Sequence, residues 1–132
     1  MKSEIRIHIR EENDITPAAM RAGEFCREAG LTEAGWRMIS TVVSELAHNI
    51  VKYAQRCNIR LKTVRDRSRR GIELIAVDTG PGIADVDRAM EDHYSSSGTL
   101  GLGLPGIKRM VDEFDIESTR GEGTRVIVRK WI

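Results

Sequence analysis

Thr99-Leu100-Gly101-Leu102-Gly103-Leu104-Pro105-Gly106-Ile107-Lys108 is the stretch around which the rest of the chain reads as organised. Its glycines allow a backbone to come close to a ligand in conformations closed to residues with a Cβ. Pro105 suits the first turn of a following helix, where its missing N–H is no loss. Free N–H groups at such a helix start form a site for phosphate. The run spells G-x-G-x-x-G through Gly101, Gly103 and Gly106, a pattern carried by several unrelated folds, so the flanking chain has to decide what it serves.

On the C-terminal side the pattern predicts a helix over 107–111, then a hairpin in which Phe114-Asp115-Ile116 meets Arg125-Val126-Ile127-Val128 across Gly121-Glu122-Gly123. On the N-terminal side, 92–98 is polar and serine-rich, the composition of a mobile segment, and 86–90 reads as a short helix. Asp78-Thr79-Gly80-Pro81-Gly82-Ile83 brings turn chemistry to the end of an apolar strand over 72–77. That strand pairs with the alternating Ile59-Arg60-Leu61-Lys62-Thr63-Val64 across a charged turn, Asp66-Arg67-Ser68-Arg69-Arg70-Gly71. Thr32 opens the longest helical pattern, with Trp36, Ile39, Val42, Val43, Leu46, Ile50 and Tyr53 at steps of three and four. Thr16-Pro17 opens another helix, which Gly30 stops, and Ile5, Ile7 and Ile9 alternate with polar residues as a first strand. The sum is an α+β chain, a two-layer α/β sandwich with helices on one face of a mixed, mostly antiparallel sheet.

At 132 residues the chain has room for one domain, 1–132, with a real core. A net charge of +1 with 31% charged residues gives no general pull toward nucleic acid or anionic membrane, and neither is expected as a partner. No apolar run is long enough to span a bilayer, and Glu4, Arg6, His8 and Arg10 interrupt any signal-peptide core, so the chain reads as cytoplasmic. Cys26 and Cys57 lie far apart without metal-ligand spacing and read as reduced structural thiols.

Glu45 and Asn49 stand four residues apart on the long helix, within roughly 60–100° of Leu46 at the centre of the apolar stripe, so they rim the core. They are either a polar flank bonded to solvent or a pair facing a pocket, where Asn49 offers an oxygen to magnesium and Glu45 orders or deprotonates a nucleophile. Asp78 at the mouth of the sheet is either an Asx turn or an acceptor for an exocyclic amine such as that of adenine. Gly123-Thr124 is by itself a plain turn into a final strand.

Taken together in chain order, Glu45 and Asn49, Asp78-x-Gly80-x-Gly82, Gly101-x-Gly103 and Gly123-Thr124 resemble the GHKL, or Bergerat-fold, ATP-binding family. That family takes in gyrase-type ATPases, histidine kinases and anti-sigma serine kinases, and the resemblance implies an ATP-magnesium site under a movable lid. A Rossmann fingerprint would follow a strand, whereas a polar, serine-rich segment precedes Gly101, and no G-x-x-x-x-G-K-[ST] or H-R-D with D-F-G occurs. No histidine is followed by an acid, as a histidine-kinase phosphoacceptor is, and no residues after Ile132 supply a transducer, so a bare catalytic domain is expected.

Within the family, Ser44-Glu45-Leu46-Ala47-His48-Asn49-Ile50, Met90-Glu91-Asp92, Asp112-Glu113-Phe114 and Lys130-Trp131 add a resemblance over nearly the whole chain to the switch serine/threonine kinases of stressosomes. This implies a kinase that phosphorylates STAS-domain scaffold proteins, is sequestered by them, and on release activates a downstream regulator such as a PP2C-type phosphatase. It also implies Glu45 as the catalytic residue and Asn49 as magnesium ligand. Asn49, Asp78, Gly80, Gly82, Ile83, Thr99, Leu100, Gly101, Leu102, Gly103, Leu104 and Thr124 form the nucleotide site on the same grounds. The alternative is an anti-sigma-like or adaptor protein that uses ATP for conformation. The basic hairpin with Arg60, Lys62, Arg65, Arg67, Arg69 and Arg70 reads as a solvated strand edge first and as a dock for an acidic partner second.

Overall fold

The computed structural model describes residues 3–53, 56–78, 103–119 and 123–132, with the backbone alone at 50, 52, 53, 103 and 119. The expected short helix at 86–90 and lid at 92–98 lie outside the described residues. Strand β1 (Glu4–Ile9) buries Ile5, Ile7 and Ile9 and exposes the polar residues between them, as its period-two pattern requires.

Helix α1 (Ile15–Glu28) starts one residue ahead of Thr16 and is closed by Gly30 at φ +106. The Gly30 N–H donates to the Arg27 carbonyl and the Leu31 N–H to that of Cys26, each at 3.1 Å, which is the Schellman pattern that satisfies a helix's last carbonyls. In helix α2 (Glu33–Tyr53) the Thr32 hydroxyl caps the start by accepting from the Gly35 N–H at 3.2 Å. Ile39, Val42, Val43 and Leu46 are buried as the stripe predicts, and Trp36 is half-buried against them. The two helices approach closely at Gly23, where an added Cβ would meet the Trp36 ring at 3.2 Å.

Strands β2 (Cys57–Asp66) and β3 (Arg69–Asp78) form a hairpin whose turn is only Arg67-Ser68, with Arg67 at φ +56. The charged turn read over Asp66 to Gly71 is therefore mostly strand, because the ladder carries Arg65 opposite Arg70 and Asp66 opposite Arg69. Helix α3 (Gly103–Met110) begins four residues before the expected 107 and takes in Pro105, which a first turn tolerates. Strands β4 (Glu113–Thr119) and β5 (Gly123–Trp131) complete the last hairpin.

The sheet order is β1-β2-β3-β5-β4 and all four pairings are antiparallel. This is the expected two-layer α+β arrangement; no parallel pair occurs among the described strands, so the mixed part of the expectation has no counterpart there. The basic hairpin is not the edge it was read as. Strand β2 lies between β1 and β3, and only its tip projects past β1, where the Thr63 N–H donates to the Ser3 carbonyl.

Register stacks the helix-facing residues in rows across the sheet. Ile5, Leu61, Leu74, Val128 and Phe114 make one row, and Ile7, Ile59, Ala76, Val126 and Ile116 the next. On the other face, Lys62, Glu73, Arg129 and Glu113 alternate in charge across four strands, a pattern that a register slip would break. Glu73 is only 7% exposed and lies 2.8 Å from Arg129 Nε and 3.4 Å from Lys62 Nζ. Burial alone would raise its pKa, but the hydrogen bond from Arg129 and the two positive charges outweigh it and hold the carboxyl below its usual value.

A carboxyl depressed in the folded state stabilises the protein above its unfolded pKa, about 4.3 for Glu, and loses that contribution as pH falls through its lower folded value. Glu73→Gln should therefore cost about 1–3 kcal/mol at pH 7, a deficit that shrinks as pH falls from the unfolded value of about 4.3 through the lower folded one. Urea titrations of both proteins at pH 7 and across the acid range check this; a deficit that does not change with pH would refute it. A second stability test is Gly71→Ala. A Cβ there would lie 2.5 Å from the Lys130 carbonyl oxygen and 2.7 Å from the Trp131 ring. Backbone cannot yield as a flexible side chain can, so thermal denaturation should show a loss of about 1–3 kcal/mol.

Candidate active site

The third helix-facing row runs Ile9, Cys57, Asp78, Thr124, Ser118. Here the sheet turns from apolar to polar, because the alternation that buries Leu74 and Ala76 carries Asp78 to the same face at the strand's end. Thr124 stands directly opposite Asp78 on β5, and both are half-buried. The Thr124 and Ser118 hydroxyls are 2.8 Å apart, and the Ser118 hydroxyl donates to the Gly123 carbonyl at 3.1 Å. Gly123 sits at φ +119, a conformation that side chains with a Cβ rarely adopt.

Cys57 flanks Asp78 on the other side and is buried. Its thiol is pushed up to about 12, first by burial and then by the Asp78 charge, against a smaller opposing hydrogen bond with the Val77 backbone. Cys26 is raised to about 12 by burial alone. Both thiols are protonated at neutral pH, which agrees with their reading as structural residues.

Glu45 lies on α2 among Leu46 and Ala47 and is 3% exposed, so it is enclosed rather than on a solvated rim. Its Oε2 has no hydrogen-bond partner among the described residues. A buried polar atom without a partner costs free energy, and such sites persist where a ligand or substrate completes them. Asn49, one turn on, is half-buried, and between them the His48 ring Nδ1 lies 2.8 Å from the Ser44 carbonyl oxygen. Helix α3 packs against α2 and places Gly103 and Leu104 in its first turn, where backbone N–H groups have no intrahelical acceptor.

Of the sequence-predicted site residues, the structure sets Glu45 and Asn49 together on α2, Asp78 and Thr124 side by side in the sheet, and Gly103 and Leu104 at the head of α3. Gly80, Gly82, Ile83, Thr99, Leu100, Gly101 and Leu102 lie outside the described residues. Sequence reasoning missed Ser118. The period-two run Phe114, Ile116, Ser118 on β4 was its available signal.

The donor set fits the nucleotide and metal that the resemblance implies. The Asp78 carboxylate has oxygens of the kind that accept from an amine, and the enclosed Glu45 Oε2 lacks a partner among the described residues. Among the described residues no group of three or more His, Cys, Asp or Glu could hold a metal by itself. Magnesium in phosphate sites takes one or two protein oxygens and completes its shell with phosphate and water, so one amide such as that of Asn49 suffices.

Residues 10–130 match the histidine kinase-like ATPase domain, and the chain belongs to that family. Over 132 residues it is 42% identical to the serine/threonine-protein kinase RsbT of Bacillus subtilis (strain 168), covering 100% of this chain and 99% of that protein. It is 33% identical over 101 residues to an anti-sigma F factor of Caldanaerobacter subterraneus subsp. tengcongensis, covering 71% of this chain and 68% of the relative. The mycobacterial sensor histidine kinase MprB superposes with a TM-score of 0.57 over 97% of each chain at 16% identity, a likeness of fold. By its ATPase domain and this full-length likeness the chain is an ATP-using enzyme, a serine/threonine-protein kinase by class. No helix among the described residues is long and apolar enough to cross a membrane.

Proposed function

We propose that this chain is a single-domain, magnesium-dependent cytoplasmic kinase that phosphorylates serine or threonine on STAS-domain stressosome scaffold proteins. Held by those scaffolds, it is released to bind and activate a downstream regulator such as a PP2C-type phosphatase. The observation that carries the enzymatic reading is Glu45, an enclosed carboxyl one helical turn from Asn49 with an oxygen that has no partner among the described residues. A protein that used ATP only to hold a shape would have no use for a buried acceptor there, and its desolvation would be cost without return.

In this reading the acceptor hydroxyl oxygen bonds to the γ-phosphorus as the bond to the β-phosphate oxygen breaks, ADP leaves, and Glu45 orients the hydroxyl and takes its proton. Magnesium, held through Asn49, would neutralise phosphate charge. Asp78 and Thr124 take the adenine. Backbone amides at Gly101 and Gly103 hold the phosphates, and Gly80, Gly82, Ile83, Thr99, Leu100, Leu102 and Leu104 complete the cradle.

The likeness to an anti-sigma F factor supports a second reading, an adaptor that grips its partner in an ATP-dependent shape. Incubating the protein with labelled ATP, magnesium and a STAS-domain protein separates the two. Acid-stable label on the STAS protein is the expected result. Binding with no transfer would favour the adaptor, and acid-labile label would point to histidine chemistry.

A further inference from the structure

We propose that Ser118 sets the purine selectivity of this site by fixing the Thr124 hydroxyl as a hydrogen-bond acceptor. This rests on the reading of Asp78 and Thr124 as the base-binding pair. A hydroxyl has one proton to donate. The Gly123 carbonyl can only accept, so the Ser118 proton is spent on that bond, at 3.1 Å. The contact between Ser118 Oγ and Thr124 Oγ1, at 2.8 Å, then needs its proton from Thr124. Thr124 is left with lone pairs alone for whatever lies beside Asp78, its direct cross-strand neighbour on the helix-facing side.

The consequence is chemical. A carboxylate alone discriminates poorly between purines, because it can accept either from the amine of a 6-aminopurine or from the ring N1–H of a 6-oxopurine. A second group of fixed polarity is needed. With Thr124 locked as an acceptor, the 6-amino group finds acceptors at both residues, whereas the oxygen of a 6-oxopurine faces only lone pairs. Unpaired polar groups of this kind are what make a hydrogen-bonding site selective. Ser118 touches neither nucleotide nor acceptor in this scheme, so it is a positioning residue that acts through Thr124.

The test compares binding of ATP and inosine triphosphate, which differ only at the 6-position and its adjoining ring nitrogen, to the full chain in magnesium-containing buffer. The parent should favour ATP. Ser118→Ala frees the Thr124 proton to turn toward the 6-oxygen, so inosine triphosphate should bind about tenfold better while ATP changes little, and the ratio narrows about tenfold. Ser118→Thr keeps the hydroxyl and should restore the parental ratio, an outcome that a merely packing role for Ser118 does not predict.

In a Thr124→Val background, which removes the group Ser118 acts on, adding Ser118→Ala should leave the ratio where Thr124→Val alone puts it. Where Ser118→Ala folds poorly, Thr124→Val alone decides the matter: it removes the fixed acceptor and should narrow the preference for ATP, and a parental ratio there overturns the inference. A parental ratio in folded Ser118→Ala, or a further change in the double variant, overturns the inference while leaving the nucleotide site intact. Failure of the parent to bind either nucleotide would overturn the site reading and this inference with it.

Discussion

Glu45→Ala should bind Mg-ATP about as well as the parent, lose phosphoryl transfer by roughly 10²–10⁴-fold, the range for a general base, and be at least as stable as the parent. The first two follow from the role given to Glu45, which is to orient the acceptor hydroxyl and take its proton in the transition state. The third follows from the structure. Glu45 is 3% exposed with Oε2 unpartnered among the described residues, so removing the carboxyl relieves an uncompensated desolvation. Function that costs stability is a common mark of an active-site group. Single-turnover transfer to a STAS-domain protein, nucleotide binding and thermal denaturation of the same preparation check all three. Transfer at the parental rate would remove Glu45 from the chemistry. A large loss of stability would mean that the carboxyl supports the fold.

Asp78→Asn should weaken ATP binding by about 10- to 100-fold, as expected when a donor replaces an acceptor and leaves a polar contact unpaired at about 1–3 kcal/mol. The fold should survive, because Asp78 ends β3 and is half-buried, and its ladder to Cys57 and Thr124 is made by backbone. Cys57 supplies an independent check on the geometry. Burial is the main reason its thiol stands near 12, but the Asp78 charge adds to it, so the neutral amide should bring the thiol pKa down. Alkylation of Cys57 followed against pH should then begin at lower pH in Asp78→Asn. Unchanged nucleotide affinity would take Asp78 out of the site, and an unchanged Cys57 profile would argue against the cross-strand pairing.

Local signals placed most of the elements. Thr32 as a cap, Gly30 as a stop and the stripe of Ile39, Val42, Val43 and Leu46 define the helices with information held within a few turns. Signals failed where the deciding partner is distant in sequence. The charged residues 66–71 read as a turn, yet Arg69, Arg70 and Gly71 are strand, because β5 pairs with Gly71 and Trp131 lies against it, with the Arg69 guanidinium 4.2 Å from the Trp131 ring centre. Glu45 read as a rim residue because the helical wheel shows only its angle from Leu46. Burial along α2 depends on the elements packed against it, α1, β2 and α3, and none of these contacts can be read from the helix's own sequence.

The candidate site divides in the same way. Which residue types it uses, a carboxyl and an amide one turn apart, an aspartate ending a strand and a threonine opening one, was determined by the sequence alone, since spacing along a helix or strand sets the face a residue takes. That Asp78, Thr124 and Ser118 form one polar row, with Cys57 at its flank, was decided only by the tertiary structure. Strand order and register arise from pairings between segments tens of residues apart, and a slip of one residue would turn each of these side chains to the opposite face. The direction of the Thr124 proton belongs to the same level. The contacts it is inferred from, of Ser118 with Thr124 and with the Gly123 carbonyl, cross a hairpin, and no pattern along the chain carries them.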